Sequence, residues 1–295
     1  MGSAFQTIGL FGKYQDPTVG TVINELTRYL QARAIKVFLD EATAAGIAAP
    51  LAPALPHGRL EEEIDLAVIV GGDGTMLNVA RALSAYEVPM LGVNLGRLGF
   101  LTDIPADGMN QELGRILQGD FESEERFLLH AEIMRGGKIV YGSNALNDVI
   151  IGKGELSRLI EFETLVNGEF VNSMRADGII VATPTGSTAY ALSAGGPIIA
   201  PTLDAIVLVP ICPHTLSARP IVIGNDSITE VVITGSRRHA AHITFDGQVS
   251  YSLDQNDRIY VRRAETPIHL VHPSNRNHFE VLRQKLRWGE RLGDD

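Results

Sequence analysis

Residues 66–83 combine an apolar run, a glycine turn and a helical pattern, and this combination most restricts the possible fold. Leu66–Val70 is an unbroken apolar run, as is typical of a strand buried on both faces of a parallel sheet. Gly71–Thr75 follows directly, and apolar residues from Met76 to Leu83 then recur at helical spacing. A strand that leads through a tight turn into a helix is a building unit of α/β domains.

The same alternation extends over about the first 120 residues. The patterns predict helices between Val19 and Leu30 and over Gln111–Leu117, and strands at Thr7–Phe11, Ile35–Leu39 and Met90–Val93. We therefore predict an N-terminal α/β domain with a parallel sheet over residues 1–125, which carries the glycine turn.

From about Arg126 the pattern changes to alternating apolar and polar residues with turn signals, which is typical of antiparallel strands. Two hairpins are predicted, Phe127–Arg135 with Lys138–Tyr141 and Ile160–Val166 with Glu169–Asn172. The second hairpin turns at Asn167–Gly168, a pair that favours a type I′ turn.

The hairpins indicate a β-rich, sandwich-like domain over residues 126–272. Residues 273–295 are predicted to form a C-terminal segment that packs back on the N-terminal domain. Its helix is expected over Phe279–Trp288, where apolar residues recur at helical spacing.

Charge and cysteine content narrow the class of protein. With 25 Lys and Arg against 35 Asp and Glu, the net charge is -10, which argues against nucleic acid or an anionic membrane as a partner. Cys212 is the single cysteine, so no intrachain disulfide and no Cys-rich zinc site can form. With neither a signal peptide nor a membrane-spanning apolar run in the sequence, we expect a cytoplasmic protein.

The glycine turn is suited to a phosphate. Glycines allow close approach of the backbone, and the start of the following helix offers N–H groups to an anion. The chain contains no Gly-Lys-Ser/Thr and the turn does not match Gly-x-Gly-x-x-Gly, which disfavours an ordinary NTPase or dehydrogenase. Asp73 would repel a phosphate, so it is expected either to accept a proton from a hydroxyl or to help hold a divalent metal. A purely structural role as a helix cap is the alternative.

Asp177–Pro197 is a second polar segment, rich in glycines and hydroxyl side chains. We interpret it as one loop after a strand, a composition that suits hydrogen bonding to a polar ligand better than a core.

In order and spacing, five motifs resemble those of bacterial NAD kinase. The resemblance spans about Ile8 to Pro273, and its most specific part is the segment Asp177–Pro197. A Gly-Gly-Asp-Gly turn alone would also fit diacylglycerol, sphingosine and phosphofructokinases. The motifs are Gly71–Thr75, Asn147-Asp148, Asp177–Pro197, Pro213–Pro220 and Asp246-Gly247-Gln248.

The resemblance implies a reaction and a role for the glycine turn. NAD kinases transfer the γ-phosphoryl of ATP to the 2′-hydroxyl of the adenosine ribose of NAD, giving NADP, with a divalent metal. Asp73 takes the position of the proton acceptor. Gly72, Gly74 and Thr75 take positions beside the triphosphate.

The resemblance also implies an NAD site. Asn147 and Asp148 match the pair that reads adenosine, with aspartate here in place of the more common glutamate. Arg158 matches a position that contacts NAD from a neighbouring subunit. Arg97 and Arg219 stand in loops marked by glycine or proline, which makes them candidates for phosphate contacts, with a structural role as the alternative. The other residues at matching positions are Arg175, Asp177, Thr188, Ala189, Tyr190, Ala191, Leu192, Ser193 and Gln248.

The resemblance implies NAD and ATP as ligands, magnesium as the divalent metal, and a homodimer or homotetramer. No side chain is assigned as a metal ligand, because the sequence has no clustered metal-binding motif and His239 and His242 would point to opposite faces of a strand. Two alternatives stay open: a lipid or sugar kinase of the same superfamily, and a non-enzymatic NAD(P) sensor.

Overall fold

The structure is a computed structural model, and it describes residues 3–13, 17–96, 99–154, 159–235 and 241–288. Contacts between residues divide the chain into two units, Met1–Glu125 with Ile268–Asp295, and Arg126–Pro267. The boundary between Glu125 and Arg126 coincides with the point where the sequence changes to alternating apolar and polar residues. The chain returns to the first unit at Ile268, a few residues before the boundary predicted at residue 272.

The strands and helices within the described ranges are as follows. The strands are β1 (Thr7–Gly12), β2 (Lys36–Asp40), β3 (Ala54–Leu55), β4 (Leu66–Val70), β5 (Met90–Asn94), β6 (Ile104–Pro105), β7 (Phe121–Arg126), β8 (Leu129–Arg135), β9 (Lys138–Ala145), β10 (Asp148–Lys153), β11 (Ile160–Val166), β12 (Glu169–Ala176), β13 (Gly178–Ala182), β14 (Ala205–Ile211), β15 (Ile221–Gly224), β16 (Thr229–Ile233), β17 (Ala241–Phe245), β18 (Val249–Leu253), β19 (Arg258–Arg263) and β20 (Ile268–Pro273). The helices are α1 (Pro17–Gln31), α2 (Glu41–Ala45), α3 (Leu60–Glu63), α4 (Asp73–Ala82), α5 (Met109–Leu117), α6 (Tyr190–Ser193) and α7 (His278–Leu286). None of these helices is long and apolar enough to cross a membrane.

The first unit is built on a mostly parallel sheet, as predicted. Its strand order is β3-β2-β1-β4-β5-β20-β7, with β6 paired to β5. Strand β4 lies between β1 and β5, both parallel to it, and its side chains are buried along its whole length. The predicted strands and helices of this domain are confirmed to within a few residues.

Strand β20 was not predicted as a strand, and the predicted boundary placed most of its residues in the second domain. It pairs in parallel with β5, with Leu270 opposite Met90, and lies between β5 and β7 in the sheet of the first unit. Helix α7 follows in the same unit.

The second unit consists of two six-stranded sheets. Their orders are β15-β14-β13-β10-β17-β18 and β12-β11-β16-β19-β8-β9. Alternate residues of each strand point into a shared apolar core, which contains Ile151 and Phe245 from one sheet and Ile133 and Phe162 from the other. Both predicted hairpins are confirmed, and the second turns through positive φ angles at Asn167 and Gly168.

The segment Asp177–Pro197 is not one loop. Its first part is the buried strand β13, which pairs with β10 and β14. A 3₁₀ turn at Gly186–Thr188 and helix α6 follow. Ala191 and Ile199 pack on Ile180 of β13 and its neighbours, so the polar part of the segment lies against the outer face of this sheet.

Candidate functional site

Asp73 lies at the start of helix α4, directly after the glycine turn. Gly72 is the N-cap residue of this helix. Its backbone is extended, and as a glycine it has no side chain that could cap the helix. The Asp73 carboxylate accepts four hydrogen bonds from a loop that follows β5. Oδ2 accepts from Phe100 N at 2.8 Å, and Oδ1 accepts from Leu101 N at 3.0 Å and from Thr102 N and Oγ1, both at 3.2 Å.

These four bonds show that the Asp73 side chain anchors a loop and does not act as a simple helix cap. A carboxylate has about four lone-pair positions, two on each oxygen. Because Oδ1 accepts three hydrogen bonds and Oδ2 accepts one, Oδ2 is the oxygen that can accept a further hydrogen bond. A hydroxyl that approaches Asp73 would therefore meet Oδ2.

Gly99 makes the close approach of this loop possible. A Cβ atom on Gly99 would lie 2.1 Å from Asp73 Oδ1 and 2.3 Å from Thr102 Oγ1. Any side chain at this position would push the loop away from the carboxylate. The loop Gly99–Thr102 was missed as part of the site, although the glycine-rich stretch after β5 was a visible signal.

In the second unit, three strand ends meet at one edge of a sheet. Strand β10 begins at Asp148, opposite Ala182 at the end of β13. Its next residue, Val149, lies opposite Phe245 at the end of β17. Because both neighbours are antiparallel to β10, they end where it begins. This edge brings together Asn147, Asp148, the segment after β13 and the turn that contains Gln248.

Asp246 and Thr183 fix the backbone at this edge. The Asp246 carboxylate accepts from Leu146 N at 3.1 Å, from Asn147 N at 2.7 Å and from Asp148 N at 3.3 Å. Thr183 Oγ1 donates to Leu146 O at 2.6 Å, and Thr183 N donates to Asn147 O at 2.9 Å. Neither residue was assigned to the site from sequence, although both lie within the motifs that carry the resemblance.

The predicted residues at this edge range from buried to exposed. Asp148 is 3 % exposed and Ala191 is buried, whereas Tyr190 is 47 % exposed. Intermediate burial is found for Asn147, Thr188, Ala189 and Leu192, and Ser193 and Gln248 are exposed. The edge therefore combines exposed polar side chains, the exposed ring of Tyr190 and the buried carboxyl group of Asp148.

Asp177 lies at the opposite end of the same strands, and Arg175 lies two residues earlier in β12, a strand of the other sheet. Asp177 immediately precedes β13, and its backbone O accepts from Lys153 N at 2.9 Å, at the far end of β10. Its carboxylate pairs with Lys153 Nζ at 2.7 Å, and Arg175 pairs with Glu161 at 3.1 Å. Five strand residues correspond to roughly 16 Å. Within one chain, the structure does not bring this pair together with Asn147 and Asp148.

Of the other predicted arginines, Arg219 lies within the described residues. Arg158 and Arg97 lie outside the described residues. Arg219 is exposed, and its Nη1 donates to the backbone O atoms of Leu216 and Ala218 at 2.9 and 2.7 Å. These bonds close its own loop and favour the structural role for Arg219.

Burial raises the pKa of the Asp148 carboxyl to about 7 from its ordinary value of 3.8, and the negative charge of Asp246 adds to the shift. The folded protein therefore binds this proton more tightly than the unfolded chain does. As a result, the contribution of Asp148 to the free energy of unfolding falls as pH rises from about 4 to about 7. Above pH 7 this loss of stability has reached its full size.

We expect Asp148→Asn to remove this loss of stability, because an amide does not ionise. At pH 8 the variant should be more stable than the wild type by roughly 2–4 kcal/mol, and near pH 4 the two should be equally stable. Urea unfolding at both pH values measures the difference. Asp204→Asn, which removes a carboxylate that is 79 % exposed, is the matched control. A stability difference that is the same at both pH values would contradict the buried, proton-binding state of Asp148.

Within the described ranges, no group of three or more His, Cys, Asp or Glu side chains is placed to hold a metal ion. His242 lies in β17, and His239 lies outside the described residues.

Comparison with known families and proteins covers nearly the whole chain. The ATP-NAD kinase N-terminal domain family matches residues 8–121, and the ATP-NAD kinase C-terminal domain family matches residues 146–273. An NAD kinase of Nitrosospira multiformis is 48% identical over 288 residues, which cover 98% of this chain and 97% of the relative.

Two solved structures are similar to this one. An NAD kinase from Archaeoglobus fulgidus in complex with ATP superposes with a TM-score of 0.75 at 27% identity, covering 95% of this chain and 98% of the other. Yeast NADH kinase complexed with NADH superposes with a TM-score of 0.88 at 24% identity, covering 98% and 89%. At that identity the second likeness concerns the fold alone.

Proposed function

Because this chain belongs to the ATP-NAD kinase family and is a phosphotransferase, we propose that it transfers the γ-phosphoryl of ATP to the 2′-hydroxyl of the adenosine ribose of NAD, giving NADP. The observation that carries the proposal is the edge of the second unit where Asn147, Asp148 and the segment after β13 meet. An amide beside a carboxyl group suits the adenine edge and the ribose hydroxyls, and the exposed ring of Tyr190 suits stacking.

Asp73 is proposed to accept the proton of the 2′-hydroxyl at Oδ2. In a loose phosphoryl-transfer transition state, catalysis is mostly positioning and charge stabilisation, and the hydroxyl proton leaves late. The loop bonds support this role because they hold the carboxylate in one orientation. The same bonds distribute its negative charge over backbone N–H groups, which lowers the repulsion of a nearby phosphate.

ATP is proposed to bind with its triphosphate near the turn of Gly72, Gly74 and Thr75. The start of helix α4 favours an anion through its backbone N–H groups and its dipole. The ATP complex of the Archaeoglobus fulgidus enzyme supports ATP as the donor. Magnesium is proposed to accompany ATP, held mainly by phosphate oxygens and water, where it would neutralise phosphate charge.

We further propose a homo-oligomer, a dimer or a tetramer, in the cytoplasm. Asp177 lies beside the opposite end of β10 from Asn147 and Asp148, and Arg175 lies just before it in β12. One chain does not supply both pairs to one adenosine, whereas two subunits related by symmetry can. Arg158 would reach the neighbouring site in the same way.

The decisive experiment incubates the purified protein with ATP, magnesium and NAD and measures NADP by mass spectrometry. We expect NADP to form in step with ADP. Phosphoryl transfer to a lipid or a sugar, with no NADP, would favour the other kinases of the superfamily. Binding of NAD or NADPH without transfer from ATP would favour a sensor.

A further inference from the structure

The loop that holds Asp73 is itself held by the C-terminal segment. Arg276, whose side chain is 10 % exposed, donates from Nη2 to the backbone O of Phe100 at 2.9 Å. Its Nε lies 2.8 Å from Asp103 Oδ2, and its Nη1 donates to Glu124 Oε2 at 3.2 Å. Each of the three guanidinium nitrogen atoms therefore lies close to an oxygen atom of a neighbouring residue.

The contact with Phe100 leads directly to Asp73. The carbonyl of Phe100 and the N–H of Leu101 belong to the same peptide group. Arg276 binds the oxygen of this peptide, and the Leu101 N–H donates to Asp73 Oδ1 at 3.0 Å. A cation at the oxygen end and an anion at the N–H end polarise the peptide in the same direction, which strengthens both hydrogen bonds.

Neighbouring side chains hold this arrangement in place. His272, which is 3 % exposed, lies with Nδ1 2.8 Å from the same Asp103 oxygen that pairs with Arg276. Lys285 of α7 lies over the ring of Phe100, with Nζ 5.8 Å from the ring centroid. Asp103 is 7 % exposed, so removing the Arg276 guanidinium takes a cation away from a carboxylate that is largely shielded from water.

We propose that Arg276 is a positioning residue for the phosphoryl transfer, which sets the orientation of the Phe100–Leu101 peptide and through it the orientation of the Asp73 carboxylate. This inference rests on the proposed function, since it takes Asp73 to be the proton acceptor. Arg276 lies outside every motif of the sequence and 176 positions from Phe100, so the fold alone brings it to this loop.

The test compares Arg276→Met with Ser274→Ala. The hydroxyl of Ser274, in the same C-terminal segment, donates to Asp120 at 2.5 Å, so Ser274→Ala is the matched control for the loss of a polar contact in this segment. We expect Arg276→Met to lower kcat roughly 10- to 100-fold with the KM for NAD within about twofold of the wild type. Ser274→Ala should leave both unchanged.

Two further measurements distinguish positioning from a general structural effect. Hydrogen exchange of residues 99–103 should become faster in Arg276→Met than in Ser274→Ala. In the Asp73→Asn background, Arg276→Met should lower kcat no further, because both changes act on the same group. Arg276→Lys keeps the charge but not the fork, and it should recover part of kcat.

The outcomes separate the two proposals. If the wild type makes no NADP, the proposed function fails. If the wild type makes NADP and Arg276→Met keeps its kcat, or loses kcat without faster exchange in residues 99–103, the positioning role is wrong. Should Arg276→Met not fold, Arg276→Lys carries the same comparison, with an intermediate loss of kcat and intermediate exchange expected.

Discussion

Asp73→Asn should lower the turnover of NAD by roughly 10²- to 10⁴-fold while NAD still binds. The amide has nearly the shape of the carboxylate but cannot accept the proton of the 2′-hydroxyl. Steady-state kinetics give kcat, and titration calorimetry gives the Kd for NAD. Because Asn147, Asp148 and the other residues proposed to read adenosine belong to the second unit, we expect the Kd to change little.

The hydrogen bonds to the loop offer a second explanation for such a loss. In the asparagine variant, an amide nitrogen replaces one of the two oxygen atoms and meets a backbone N–H that formerly donated to it. The loop is weakened, by an amount on the order of 1–3 kcal/mol for each unsatisfied group. Loss of turnover by Asp73→Asn alone therefore does not separate proton acceptance from loop anchoring.

Thr102→Val separates the two roles. It removes the hydroxyl that donates to Asp73 Oδ1 but keeps the carboxylate and the other three hydrogen bonds. We expect kcat to fall by less than about tenfold, as for the loss of a single hydrogen bond. If Thr102→Val lowers kcat as much as Asp73→Asn does, loop anchoring accounts for the effect and the general-base role is wrong.

Asp40→Asn is the matched control for losing a carboxylate at the start of a helix. Asp40 caps α2 in the same unit by accepting from Thr43 N at 2.9 Å. Its replacement should change stability slightly and leave turnover unaltered.

Local patterns were sufficient to predict most of the first sheet and the two hairpins. Leu66–Val70 is identified as a buried strand by its own composition, and Asn167–Gly168 as a turn by its own backbone preferences. These features are local, since each depends on a few consecutive residues. The pairing of β20 with β5 joins residues far apart in sequence, so no local pattern identified its sheet.

The same distinction applies to the site. The motifs identified Asp73, Asn147 and Asp148, which are residues proposed to meet the ligands. The groups that orient them were missed: Gly99–Thr102 around Asp73, and Asp246 and Thr183 around Asn147. Their contacts are long-range hydrogen bonds of the folded chain, and neither composition nor spacing encodes such pairings.

Gly186 packs tightly against the backbone of Asn147. We expect its replacement to lower both stability and NAD binding. A Cβ atom on Gly186 would lie 2.0 Å from Asn147 O, 2.4 Å from its carbonyl carbon and 2.8 Å from its Cα. All three are backbone atoms, so no side-chain rotation can relieve the clash. Gly186 N also donates to Thr183 Oγ1 at 3.1 Å, and this hydroxyl in turn donates to Leu146 O at 2.6 Å, which links the segment of Gly186 to that of Asn147.

We therefore expect Gly186→Ala to move the backbone of Asn147 and to disrupt the NAD site. Overpacking of this kind costs about 1–3 kcal/mol or more, and displacement of a binding group by about 1 Å lowers activity roughly 10²-fold. Urea unfolding and the KM for NAD measure the two effects. Gly142→Ala is the matched control, because its Cβ atom would meet its nearest neighbour at an ordinary 3.4 Å.

Since the clash involves Asn147, Gly186→Ala should raise the KM for NAD and leave the KM for ATP nearly unchanged. An increase in the KM for ATP alone would show that this edge does not bind NAD.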